Sequence, residues 1–223
     1  MAIQLQGNGG TIAEVDGAIF RSLRTTLRPT DYSTLGHYSL GVGTGVLPAA
    51  LAANAEIFQF RWADATRICV INEVRISACV STTYFAAGVP VQIDLVKSTG
   101  WSAAGTGGTA ISPAALLKKR TSMGSSLVAS GDIRVATTAA LGAGTKTLEG
   151  NALAMLMAPG PITASLNGQI VPPGTQLLSN LPGEEHPLVL AQNEGFSIRS
   201  VAVPATGTWQ ATVQVDWTEV AAY

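Results

Sequence analysis

The sequence predicts an all-β fold, an antiparallel β-sandwich or jelly roll, preceded by an extended N-terminal arm. Three observations carry the prediction. From Ile57 onwards, apolar and polar residues alternate with period two in several separate runs, the mark of half-buried strands. Clusters of Gly, Ser, Thr and Pro divide those runs as turns do. No run of about twelve residues or more keeps helical spacing, and strands with polar outer faces argue against a parallel sheet covered on both sides.

Residues 1–55 and residues 56–223 read differently, so the chain is divided into an arm for assembly contacts and a sandwich domain. The arm opens on Gly7-Asn8-Gly9-Gly10 and continues through Val15–Leu27, where periodicity is weak. Arg28-Pro29-Thr30-Asp31 is a turn signal, and the tract Gly36–Gly45 carries four glycines, which favours a flexible loop. Ala49–Glu56 is expected to form a short helix with Pro48 in its first turn. The arm shows no core of its own, yet it carries Ile12, Val15, Ile19, Phe20, Leu23 and Leu27. Such a patch does not stay in water. Arg21, Arg24 and Arg28 recur at three and four residues, a spacing that aligns them on one helical face. Phe20, Arg21, Arg24 and Arg28 are therefore the candidate assembly interface.

In the sandwich domain, Phe58, Phe60 and Trp62 share one face, with Gln59 and Arg61 opposite. Ile68, Val70, Val74, Ile76, Ala78 and Val80 alternate with Arg67, Glu73, Arg75 and Ser77. Val89, Val91, Ile93 and Leu95 alternate with Gln92 and Asp94. The cleanest pattern puts Trp209, Ala211, Val213, Val215 and Trp217 on one face, and Gln210, Thr212, Gln214, Asp216 and Thr218 on the other. Phe196–Val203 is expected to precede it as a strand, with residues 204–208 as a hairpin loop. Shorter strands are expected at Asp132–Thr137, Leu148–Met157 and Leu188–Ala191. The dividing loops are expected at Ser98–Ser112, Gly142–Thr145, Pro159–Pro161 and Val171–Gly174.

Composition narrows the function. Of 223 residues 47% are apolar and 12% charged, with 13 basic against 14 acidic side chains. No electrostatic footprint for nucleic acid or an anionic membrane follows from that balance. A free domain averages about 25% charged residues, so the low charge suggests a surface covered by further copies or by a partner. No apolar run approaches the 18 or so residues that span a bilayer, and Met1–Gly10 lacks the pattern of a secretory signal. Cys69 and Cys79 lie too far apart along one strand for a bridge and are expected to be small buried hydrophobes.

Several apparent motifs fail on spacing. In Gly142-Ala143-Gly144-Thr145-Lys146-Thr147, Thr145 separates the glycine from the lysine that a phosphate loop needs adjacent. This reads as a turn, and Lys146→Ala is expected to leave folding and assembly intact. Gly41-Val42-Gly43-Thr44-Gly45 departs from the dinucleotide fingerprint. Ser39 lacks the first glycine of a nucleophile elbow. Of the two histidines, His37 and His186, the second follows Glu184-Glu185 in a loop without a metal-ligand spacing. Lys118-Lys119-Arg120 reads as a solvated run or a contact for an acidic protein surface. Trp101, in a Gly/Ser/Thr loop, is the one tryptophan expected to be exposed. No catalytic, cofactor or metal residues are assigned.

The stretch Phe58-Gln59-Phe60-Arg61-Trp62-Ala63-Asp64-Ala65-Thr66-Arg67 resembles a family of small structural proteins of tailed bacteriophages. The likeness continues in Lys119–Gly124, Ala139–Leu148, His186–Phe196 and Val203–Trp209, and the arm segment Phe20–Thr26 also fits. The resemblance implies a virion component without catalytic residues to carry over, and its motifs do not fix the station on the particle. Together with the low charge and the coreless arm, it leads us to expect a non-enzymatic capsid decoration or cement protein, assembled in the host cytoplasm. The expected partners are other copies of the chain, a trimer among the options, and the major capsid protein or another virion protein. Nucleic acid and membrane are not expected as partners, and no cofactor is expected. The alternatives are a tail or fibre component contacting the host, or a carbohydrate-binding or hydrolytic β-sandwich module, since jelly rolls host such sites.

Overall fold

A computed structural model describes residues 36–86, 89–160, 168–179, 187–202 and 206–221, all within the unit Tyr32–Tyr223. In chain order the strands are β1 (His37–Gly43), β2 (Leu47–Pro48), β3 (Ala55–Trp62), β4 (Ile68–Val80) and β5 (Val91–Ala103). Next come β6 (Thr109–Ala110), β7 (Leu117–Lys118), β8 (Ile133–Val135), β9 (Thr145–Leu148) and β10 (Ala154–Ala158). The last four are β11 (Gln169–Ser179), β12 (Leu188–Leu190), β13 (Glu194–Ala202) and β14 (Thr208–Val220).

They form two antiparallel sheets packed as a β-sandwich. The first sheet runs β11-β4-β14-β1-β7, with β12 beside β4 and β2 beside β14. The second runs β10-β5-β13-β3-β8-β6, with β9 beside β5. At the centre Trp217 of the first sheet meets Phe60 of the second edge-on, with ring centroids 5.5 Å apart. Tyr38 stacks on Trp217 at 5.7 Å, and Phe196 stacks on Phe60 at 5.3 Å. Both separations fall in the favourable range for aromatic pairs. Trp209, Ala211, Val213, Val215 and Trp217 are all buried, as the alternation in β14 predicts, and so are Phe58, Phe60 and Trp62.

The described part of the expected arm, residues 36–55, lies in the sandwich. β1 pairs with β14 from His37↔Thr218 to Gly43↔Thr212, and with β7 at Tyr38 and Ser39. Tyr38 and Leu40 are buried, with Val42 packed beside them. The outward positions that follow are Ser39, Gly41 and Gly43, and with two glycines among them an alternating strand reads as a loop. The helix expected at Ala49–Glu56 is absent: Leu47 enters the core, and the chain turns directly into β3.

Three further expectations change. In β4, Asp216 faces Glu73 but Trp217 faces Ile71. Asn72 is thus the extra residue of a bulge, and its amide donates to Thr218 Oγ1 at 2.8 Å. A bulge shifts the side-chain phase, so Cys69 and Ile71, not Ile68 and Val70, join Val74 and Ile76 in the core. Val171–Gly174 is part of β11, whose register shifts around those residues accommodate its prolines. Finally, β13 and β14 do not form a hairpin, because β13 pairs with β3 and β5 whereas β14 pairs with β1, β2 and β4.

Candidate functional site

The outer face of the first sheet carries a groove of about 570 Å³. Its floor follows from the register. Gly43 faces Thr212, which faces Ser77, and the next row along β14 places Gln210 beside Cys79 and Gln169. Ser77 and Thr212 hydroxyls hydrogen-bond at 2.5 Å. Pro173 of the irregular β11 contributes to the lining, beside Gly174, whose φ of +71° is natural for glycine. Gly41 lies outside this lining, in a smaller depression shared with Ser77 and Thr212, and a Cβ there would meet nothing within 4 Å.

The groove carries no charge, and most of its surface is carbon, from Ala78, Val171, Pro173 and Ala211 among others, with polar groups set into it. The polar groups are two glutamine amides with hydroxyls and a thiol, which offer hydrogen bonds at the margins of an apolar floor. Ser77 and Cys79 have no histidine or carboxylate among the lining residues to act as a base. Just beyond it, Arg75 and Gln176 both donate to Glu73 Oε1 at 2.7 Å.

A second polar cluster is built on the outer face of the second sheet and closed over by the segment before β9. Glu56 Oε2 accepts from Lys146 Nζ, Gln59 Nε2 and Ser197 Oγ, each at 2.7 Å. Lys146 also donates to the Ala143 carbonyl at 2.6 Å, and its ammonium lies 4.2 Å from the Trp101 ring centroid. Burial pushes the lysine pKa down, opposed by its bond to Glu56. Trp101 is buried, not exposed as expected, and its indole N–H donates to Ser98 Oγ at 2.7 Å. β5 runs on through the Ser/Thr/Gly stretch that reads as a loop.

Glu219 forms a third buried polar centre. Its carboxylate accepts from Ser126 Oγ at 2.6 Å, from Trp217 Nε1 at 3.2 Å and from the Leu127 amide. Burial raises its pKa. Burial, together with the Glu219 charge, also pushes the Tyr38 phenol up to about 12 and the Cys69 thiol well up. These contacts tie the segment after β7 to the first sheet, where Tyr38 also donates to the Gly124 carbonyl.

Phe20, Arg21, Arg24 and Arg28, as well as His186, lie outside the described residues. His37 sits on β1 beside Asn72, and burial lowers its pKa. Ser39 faces outward in the same strand and is nearly covered. In the basic run, Lys119 pairs with Asp216 of the same chain at 3.2 Å. Cys69 is buried, but Cys79 is exposed, contrary to expectation. Among the described residues no group of three His, Cys, Asp or Glu side chains is placed to hold a metal, and no helix is long and apolar enough to cross a membrane.

The groove residues were visible in the sequence only as the polar halves of β4 and β14. Their signal is the run of small or amide side chains, Ser77, Gln210 and Thr212, where charged residues are usual. Comparison with family models, curated proteins and solved structures gives no match.

Proposed function

We propose that the chain is a non-enzymatic structural protein of a tailed-bacteriophage virion, acting as a capsid decoration or cement protein. The observation that supports this most is where exposed apolar side chains fall. Leu117, on the short β7 at one edge of the first sheet, is 65% exposed, and Met155 and Met157, on the edge strand β10 of the second, are 66% and 64% exposed. Sheet edges with apolar side chains are where a β protein joins others. The partners in this reading are further copies, a trimer among the options, and the major capsid protein or another virion protein, within the virion. Imaging purified particles with a label on this protein tests it: many copies spread over the head shell support a cement role.

A tail or fibre component contacting the host is the second reading. It is favoured by the uncharged groove over β14 and β4, whose apolar floor and amide and hydroxyl groups suit a neutral ligand. A few copies confined to a vertex or the tail would select it.

A further inference from the structure

β10 is an edge strand with β5 as its only strand partner among the described residues. Its sequence is Ala154-Met155-Leu156-Met157-Ala158, which reads the same in both directions about Leu156. Met155 and Met157 point outward, while Ala154 and Leu156 pack against the core. Leu153, just before the strand, is 50% exposed. Natural edge strands are guarded against pairing by a lysine, a proline, a bulge or a covering segment. No charged residue or proline interrupts these five positions.

We infer that β10 is a self-pairing edge, through which a second copy of the chain joins antiparallel about a two-fold axis at Leu156. The palindrome selects this occupant. An isologous contact requires that residue i meet j and j meet i, and residues opposite one another in an antiparallel pair share a face. Pairing about Leu156 sets Met155 against Met157 of the second copy, Ala154 against Ala158, and Leu156 against itself. Both methionine pairs then lie on the outer face, and both leucines on the core side, so the second sheet continues unbroken into its neighbour. On the flanking β5, Asp94 stands beside Met155 and Gln92 beside Met157, so no like charges meet at the junction. Methionine adapts its shape to such a seam. Stable interfaces bury about 1,200 Å² or more in total. Two five-residue strands bury less, so the pairing alone is concentration-dependent and adds to other contacts in an assembly.

This contact rests on the reading of the chain as an assembly protein, but its test is separate. Sedimentation of the full chain is followed against concentration for the wild type, Met155→Lys, Met157→Glu and an equimolar mixture of the two variants. Circular dichroism confirms that each variant is folded, as the exposure of both positions leads one to expect. The wild type should dimerise with rising concentration, and each variant should lose that dimer. The mixture should regain it, because only the mixed pair sets the introduced lysine of one copy against the introduced glutamate of the other. A wild type that stays monomeric, variants that dimerise like the wild type, or a mixture that stays monomeric would each overturn the inference. Copies that pair this way but are missing from purified particles would remove the virion reading and leave the contact standing.

Discussion

The ammonium of Lys146 lies 2.7 Å from Glu56 Oε2, with the lysine side chain 2% exposed and the glutamate 6%. This ion pair joins β9 to β3 beneath a covering segment, and its partners come from positions far apart in sequence. The residue that looks like a stray phosphate-loop lysine is a structural one.

Against the expectation from its sequence context, Lys146→Ala should destabilise the fold. It strands a buried carboxylate, and breaking a buried pair in this way costs about 3–5 kcal/mol. Denaturant melts should show a loss in that range. The double variant Lys146→Met, Glu56→Gln should lose much less, because no uncompensated charge remains. Equal losses for the two would show that the charge is not the cause.

Trp217→Ala empties the site where Tyr38 and Phe60 meet the indole and removes a donor to Glu219. Truncating a core aromatic costs about 3–5 kcal/mol. Gln214→Ala, on the outward face of the same strand, should cost within about 0.5 kcal/mol. Thermal melts of the two variants check the strand phase directly.

Glu219 gives the protein a pH dependence whose sign follows from its raised pKa. The folded state holds the proton more tightly than the unfolded chain, whose value is near 4.5. The stability linked to protonation is thus complete below that value and lost as pH rises through the folded one. The stability of the wild type minus that of Glu219→Gln should fall with rising pH across this window. A difference that is flat or climbs would refute the assignment.

The two thiols should separate under labelling. Cys79 is exposed in the groove, and Cys69 is buried with its thiolate disfavoured. The thiolate is the reactive form. A maleimide should modify one cysteine in the native protein and the second only on unfolding, as read by intact mass.

What the sequence revealed depended on how many faces of a strand are covered. β14 is apolar on one side and polar on the other along most of its length, and its core residues follow from alternation alone. β3 is buried on both sides: Phe58 and Phe60 on one, Glu56 and Gln59 on the other. Its polar side is covered by residues 80 or more positions away, and no local pattern announces that. β1 is hidden by the reverse effect, since Gly41 and Gly43 take two of the outward positions beside His37 and Ser39. Trp101 was misplaced because small polar neighbours look like a loop when they continue a strand. The groove has no motif at all, being made by register between β1, β14, β4 and β11.

The position of β14 between β4 and β1 bears on how the protein is made. A ribosome releases β1 and β4 long before residues 208–220, the only strand among the described residues that pairs with both. Until those residues emerge, the nascent chain carries two apolar strands that lack their shared neighbour, the kind of species that aggregates or engages chaperones. Closure of the first sheet is consequently a late event in synthesis. A stop codon just before residue 208 would yield a chain that fails as a whole, not a shorter version of the same sandwich.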